Sequence, residues 1–438
     1  MSKSLLPFGA LTVLVRPITT LADVVDWGLC TGCGACVPAC TQGHIRLANI
    51  ESVGIRPQII TDPCGDCRQC LSVCPGHGVD AELATGPSHS GNVGNAETGF
   101  ALEIWEGYAS DPQVRYRASS GGALSALAAY CLEQEDMEFV LHTGMNENQP
   151  WLNATVQSRS REELSSRAGS RYAPASPCEG LGAIESGERP CVFIGKPCDT
   201  TAAFKLRRER PALDRNLGLV LTFFCAGTPS TRGTLDLLQQ FGTNQESVRQ
   251  LRYRGEGWPG RFRIDHPEGQ LSLSYNESWG KLNHYRPMRC QLCPDGLGRV
   301  ADIACGDAWE TFDSTADPGR SLIIVRTVRG REILHRAIKA GYVELVPAST
   351  DNVVAAQRNL LQKRKDLFGR LAALRMFLIP VPQFKGFSLL SSWMRLPLLR
   401  KATTLIGTIR RILVRGLWRR QPVTQSFPSV SPREPANL

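Results

Sequence analysis

The sequence predicts an α+β chain in three parts: a small cysteine-rich module, a larger mixed α/β domain, and a C-terminal helical basic tail. Three observations predict it. Eight cysteines in a doubled pattern lie between Cys30 and Cys74. Runs rich in Val, Ile and Leu alternate with helix-like stretches from 100 to about 350. Residues 370–420 hold eleven Lys or Arg and no Asp or Glu. With 438 residues, 42% hydrophobic and 21% charged, the chain has the composition of a globular protein and room for several domains. The formal net charge of +9 lies wholly in the last segment, because the remainder sums to about −2.

Residues 1–20 form a lead-in. Lys3 followed by the apolar run Leu5–Val15 resembles a weak signal peptide, but no small-x-small cleavage pattern or twin arginine accompanies it. A cytoplasmic location is expected.

The cysteine module occupies 21–81. Cys30-x-x-Cys33-x-x-Cys36-x-x-x-Cys40 is followed by Cys64-x-x-Cys67-x-x-Cys70-x-x-x-Cys74-Pro75. Bacterial ferredoxins use this spacing to hold two 4Fe–4S clusters: three thiolates wrap one cluster, and the fourth reaches the other. One set is then Cys30, Cys33, Cys36 and Cys74, and the second is Cys64, Cys67, Cys70 and Cys40. Gly32, Gly34 and Gly65 let the backbone turn tightly around them. Paired zinc knuckles would separate two CxxC pairs, and a disulfide framework suits short secreted chains. Eight cysteines spent on clusters favour a reducing compartment.

Residues 82–99, rich in Gly, Ser and Asn, read as a linker. Beyond it, strands are expected at Phe139–His142, Cys191–Ile194, Leu217–Phe224, Ser321–Thr327 and Tyr342–Val346, and helices at Ala123–Glu135 and Thr231–Phe241. The order of the strands is not readable. Ser119-Ser120-Gly121-Gly122 runs straight into the first of these helices. Such a turn offers free N–H groups and the positive end of the helix dipole to a phosphate, although either serine also serves as a plain N-cap.

Eight cysteines remain. Cys198 and Cys225 follow strands, and Cys290-x-x-Cys293 precedes Pro294. Ends of adjacent strands are where ligands converge on one sheet edge, so these four would complete a third cluster unless they are inert core residues. Cys131, Cys178, Cys191 and Cys305 are expected to be structural. His142 and His284 are candidate proton donors, or hydrogen-bonded bystanders.

Over roughly 21–350 the chain resembles the beta-subunit family of coenzyme F-420 hydrogenases and dehydrogenases. The resemblance rests on the eight module cysteines, Ser119–Gly122, Gly169-Ser170-Arg171-Tyr172, Gly195-Lys196-Pro197-Cys198, Phe224-Cys225-Ala226-Gly227, Cys290-x-x-Cys293-x-Asp295 and Ala301–Trp309. Thr41 stands where the ferredoxin pattern usually has Pro. Cys305 stands where the family has a small polar residue, and so becomes a competing ligand. The resemblance implies an FAD-binding oxidoreductase, with the mixed α/β part as a flavin-binding domain divided at 100–250 and 251–369. It implies a third 4Fe–4S cluster on Cys198, Cys225, Cys290 and Cys293. Ser119, Ser120, Gly121, Gly122, Lys196 and Asp307 would face the flavin or its phosphates.

The expected activity is electron transfer between 4Fe–4S clusters and FAD, with F-420 or another small hydride donor or acceptor, and with ferredoxin or another redox protein as partner. The competing expectation is an electron-transfer subunit that serves a larger redox partner and has no substrate of its own. No nucleic-acid partner is expected. Within 370–420, a helix over 398–419 would gather Leu398, Ala402, Leu405, Ile406, Ile409, Ile412, Leu413 and Leu417 on one face, opposite six basic residues. That face would lie on an anionic membrane at its inner side or pack on the protein. Residues 421–438 are expected to be disordered.

Overall fold

The computed structural model describes residues 16–60, 67–82, 91–309 and 318–423. Leu5–Val15, Cys64, Gly65 and most of 421–438 lie outside them.

The cysteine module opens with helix Leu21–Asp26, whose start is fixed by a reciprocal capping box between Thr20 and Asp23. The first ligand loop then turns through Gly32 and Gly34, both at positive φ (71° and 86°). A Cβ on Gly34 would sit 3.0 Å from Ser176, so this turn needs glycine both for its backbone and for close docking. An antiparallel hairpin, Ile45–Ile50 with Gly54–Ile59, separates the two cysteine runs.

The large domain is built on one eight-stranded sheet. Its strands are β1 (Glu103–Ala109), β2 (Val140–Met145), β3 (Asn153–Ser158), β4 (Cys191–Gly195), β5 (Leu217–Phe223), β6 (Ile303–Asp307), β7 (Ser321–Val325) and β8 (Val343–Pro347). The order across the sheet is β8-β1-β7-β6-β5-β4-β2-β3. β6, β5, β4 and β2 run parallel, while β3, β7 and β8 pair antiparallel to their neighbours. The strands read from Val/Ile/Leu runs are all present. β1, β3 and β6 add to them, and their more polar composition hid them from pattern reading.

One face of the sheet is covered by helices Ala123–Gln134 and Val328–Lys339, which bury Leu127, Cys131, Ile333 and Leu334. The other face is covered by helices that include Leu181–Ser186 and Pro197–Arg207. Cys33, Ala35, Ala39 and Val73 of the cysteine module enter this same core. The module therefore docks directly on the sheet domain. Between β5 and β6 the chain forms a smaller unit, a three-stranded sheet of Gln250–Arg252, Arg261–His266 and Gly269–Ser274 packed on helices Thr231–Gln240 and Tyr275–Leu282.

One expectation about connections changes, and the packing expected as one reading of the basic segment is seen. The described part of the expected linker is a pinned loop, whose carbonyls at Ala96, Glu97 and Thr98 accept from Arg299, Arg364 and Arg326. Side-chain composition suggested flexibility, but buried arginines hold this backbone in place. The basic segment is likewise no free tail. Its helix Leu398–Arg415 packs chiefly on helix Leu367–Met376, and Ile412, with Leu405, Ile409 and Leu417, joins a core that Leu371 and Leu374 of that helix share with Val24, Val25 and Leu29 of the cysteine module. Among the described residues no helix is long and apolar enough to cross a membrane.

Candidate functional site

Cys30, Cys33, Cys36 and Cys74 are all buried, at 7–9% exposure, and lie close enough to perturb one another electrostatically. Burial first, then the neighbouring sulfurs, pushes Cys36 well above the ordinary thiol range and Cys74 up to about 12. Cys33 moves the other way, because Cys178 hydrogen-bonds to it. Cys178, expected as a core residue, thus touches the ligand loop. Its own N–H donates to the Cys33 carbonyl at 3.1 Å.

Cys40 and Cys70 pack with Cys36 in one small cluster, and the His44 N–H donates to Cys40 Sγ at 3.4 Å. Cys67 is exposed, and Cys64 lies outside the described residues. No three Cys, His, Asp or Glu side chains among the described residues converge as a single metal ion would require. A four-iron cube makes no such demand, since its four thiolates are spread over four irons.

The parallel pairing of β4 and β5 places their C-terminal ends side by side, and Cys198 and Cys225 follow those ends directly. The helical turn Met288–Gln291 carries Cys290 to the same place, with Cys293 just beyond it. The four thiols perturb one another. Cys225 is pushed up to about 12 by burial first, then by Cys290 and Cys293, while Cys198 is raised by burial, Asp199, Cys225 and Cys293. The Thr228 N–H lies 3.5 Å from Cys290 Sγ. Four half-buried thiols gathered at one sheet edge form a donor set suited to a polycationic iron–sulfur core. Cys305 does not join them. It faces the opposite core from β6, and burial alone pushes it up to about 12.

Lys196 lies beside this group. Burial alone would strip its proton, but Asp199 at 2.7 Å and the Cys198 and Cys225 sulfurs reverse the effect and keep the ammonium charged. Its Nζ also donates to the Ala175 carbonyl at 3.1 Å. Lys196 lines a narrow cleft that reaches Cys30, Gly32 and Arg56 on one side and Thr228 and Cys290 on the other. One opening therefore touches both thiol groups.

The Ser119–Gly122 turn sits at the same sheet edge, after β1. Its side chains are engaged by protein. Ser119 Oγ accepts from the Ser170 N–H at 2.5 Å, and Ser120 Oγ lies 2.9 Å from the Arg320 carbonyl. A Cβ on Gly121 would meet the Gly107 carbonyl at 2.6 Å and the Ser321 nitrogen at 2.7 Å. Strand packing by itself therefore demands glycine at 121. The backbone donors remain: the N–H groups of Ser120, Gly121 and Gly122 find no acceptor among the described residues. Asp307, at the end of β6, has both carboxylate oxygens taken by Arg254 (2.8 and 2.6 Å), and Trp258 Nε1 adds a third bond at 3.1 Å.

His142 is not poised as a proton donor. It is buried, bonded to Ser158 at 2.8 Å, and its pKa is depressed by burial first to about 4. Above pH 6.5 the ring is neutral in both folded and unfolded chains. Below that, the unfolded chain takes up a proton that the folded one refuses, so stability falls between pH 6.5 and 4. The expected loss at pH 5 is about 2 kcal/mol. The His142→Gln protein should lose less than the wild type between pH 7 and 5 in urea midpoint, and equal losses would refute the assignment.

The profile described as "Coenzyme F420 hydrogenase/dehydrogenase, beta subunit N-term" matches residues 104–181, and its C-terminal counterpart matches 189–351. The chain belongs to the coenzyme F420 hydrogenase/dehydrogenase beta-subunit family. A 4Fe–4S dicluster domain matches 29–78. Among similar proteins is the coenzyme F420 hydrogenase subunit beta of Methanothermobacter thermautotrophicus, 23% identical over 293 residues, which are 65% of this chain and 99% of that protein. The F420-dependent formate dehydrogenase subunit beta of Methanocaldococcus jannaschii is 26% identical over 54% of this chain and 60% of its own length. The coenzyme F420-dependent sulfite reductase of the same organism is 23% identical over 72% of this chain and 46% of its own length.

In this member of the family, sequence reasoning missed the wall around Asp307. Arg254 is 3% exposed, and its guanidinium lies 4.7 Å from the Tyr275 ring and 4.9 Å from that of Trp309. Trp258 packs on Trp309 at 5.0 Å. The available signal was the run Arg254-Gly-Glu-Gly-Trp258-Pro-Gly260, a glycine-rich turn carrying one arginine and one tryptophan.

Proposed function

We propose that the chain is an iron–sulfur flavoprotein subunit that moves electrons between 4Fe–4S clusters and a small hydride carrier of the F420 class. The observation that carries this is the meeting of Cys198, Cys225, Cys290 and Cys293 at one sheet edge, on a cleft shared with Cys30. Cys30, Cys33, Cys36 and Cys74 would hold one cluster, Cys40, Cys64, Cys67 and Cys70 another, and the sheet-edge group a third. FAD, when bound, supplies exchange of hydride in two-electron steps and of electrons singly.

The chain's own residues do the positioning. The unpaired N–H groups of Ser120, Gly121 and Gly122, at the start of helix Ala123–Gln134, suit a phosphate. Lys196 keeps a fixed positive charge beside the Cys198 and Cys225 thiols. Trp258, Tyr275 and Trp309 form an aromatic wall suited to excluding water, and Asp307 holds Arg254 in it. Two relatives are named as beta subunits of larger enzymes, which favours assembly with a larger redox partner. A reducing cytoplasm suits the many free thiols.

Anaerobic titration tests the proposal. Protein reconstituted with FAD and iron–sulfur clusters is offered reduced F420, NAD(P)H and reduced ferredoxin in turn. Flavin bleaching by F420 or another small hydride donor supports it. Reduction by ferredoxin alone would favour a relay subunit with no organic substrate of its own.

A further inference from the structure

Helix Leu398–Arg415 is apolar on two sides. It begins after Pro397 and ends at Gly416, which adopts φ 62°. Ile412 is fully buried and Thr408 nearly so, while Leu405, Ile409 and Leu417 pack partly into the core shared by helix Leu367–Met376 and the cysteine module. That accounts for one arc of the helix. At 100° per residue, Leu398, Ala402, Leu413, Ile406, Leu399 and Val414 fall in order on the adjoining arc. Of these, Leu398 is 82% exposed, Leu399 76%, Ile406 65%, Leu413 51% and Val414 76%. Exposed Leu390 and Met394 lie on the short helix just before it. Scattered single leucines on a surface need no explanation, but a continuous apolar stripe does.

The charges beside the stripe say what covers it. Arg410 falls inside the exposed arc, Arg411 lies past its edge beyond Val414, and Arg415 is on the opposite side of the helix. None of these three, nor Arg395, has an ion-pair partner among the described residues. Arg400 is spent on Asp366, and Arg420 on Asp23 and Asp26. From 370 to 420 there is no Asp or Glu to complement a basic partner. The complement of a basic, apolar, acid-free helix face about 27 Å long is a surface with anionic headgroups above an apolar interior.

We propose that the outer face of helix Leu398–Arg415 docks the protein peripherally on an anionic phospholipid membrane, while its inner face stays on helix Leu367–Met376 and the cysteine module. The helix lies in the interfacial plane. Leu399, Ile406 and Leu413 enter the headgroup–acyl boundary, and Arg410 and Arg411 pair with phosphates. This proposal is independent of the electron-transfer reading and needs no bound cofactor to be tested.

The test is flotation of the full chain with vesicles of phosphatidylcholine alone, and with vesicles that also contain phosphatidylglycerol. Point substitutions are needed because removing 370–438 would uncover Val24, Val25 and Leu29. Wild-type protein should float with the anionic vesicles at low salt and be released at ~1 M salt, where charge is screened within about 3 Å. The Arg410→Glu/Arg411→Glu protein should bind at least about tenfold more weakly. Leu399→Glu/Ile406→Glu should also lose flotation, with an unchanged thermal melt, because both side chains are exposed. No flotation, or flotation by both double variants equal to that of the wild type, overturns the proposal. So would a dimer in sedimentation equilibrium that Leu399→Glu/Ile406→Glu dissociates without any vesicle binding, since the stripe would then belong to a second copy.

Discussion

Anaerobically reconstituted protein is expected to hold about twelve irons per chain, and the Cys290→Ser protein about eight. The expectation follows from the two ligand sets that the module's cysteine spacing assigns and from the thiols gathered at the sheet edge. Cys290 is chosen because it lies in the short turn Met288–Gln291, away from the strands. It is only partly buried, so serine there should leave the sheet and the module folded. Iron analysis with electron paramagnetic resonance on the reduced protein reads the result: one cluster signal should vanish while the module's pair persists. About eight irons in the wild-type protein would remove the sheet-edge cluster and leave the module's assignment untouched. Full iron in the Cys290→Ser protein would mean that another residue ligates in its place. Cys305 is a poor replacement, because it faces the opposite core.

The second large effect is expected at Asp307. Replacing it with Asn removes the only carboxylate paired with Arg254 among the described residues. The arginine is then left charged in a nearly closed site, against the stacked rings of Tyr275 and Trp309. Breaking one side of a buried ion pair costs about 3–5 kcal/mol, because the remaining charge keeps its desolvation penalty without its partner. A urea midpoint that falls accordingly in Asp307→Asn would make this residue an anchor of the aromatic wall. An unchanged midpoint with loss of bound FAD would instead put the carboxylate at the cofactor. The geometry favours the anchor, since all the strong contacts of both oxygens are already made by Arg254 and Trp258.

The comparison between Asp307 and the cysteine module shows why some of the site was legible and some was not. The module's ligands are close in the chain, so their spacing alone states which cluster chemistry they suit. Val, Ile and Leu runs likewise reveal central strands, because a strand buried on both faces must be apolar along its whole length. The same logic missed β1, whose sequence Glu103–Ala109 carries Glu106 inward against Arg320. Nor could it show why position 121 must be glycine. The close neighbours of Gly121 are the backbones of β1 and β7, which no local pattern announces.

By itself, then, the sequence determined the family, the doubled cysteine module, the main strands and an amphipathic basic helix, because each of these is written in local spacing or periodicity. Only the tertiary structure decided which distant groups meet. Strand order placed the ends of β4 and β5 together and so gathered Cys198 and Cys225 with Cys290 and Cys293. The unit between β5 and β6 folded back to give Asp307 its arginine from 53 residues away. The C-terminal segment returned to the cysteine module, where Arg420 meets Asp26 across 394 residues. A helical wheel shows that a face is apolar; it cannot show how much of that face a neighbour covers. Packing on helix Leu367–Met376 and the module buried Ile412 and left Leu398, Leu399 and Ile406 in solvent, because neighbours on one side cover only one arc of a helix.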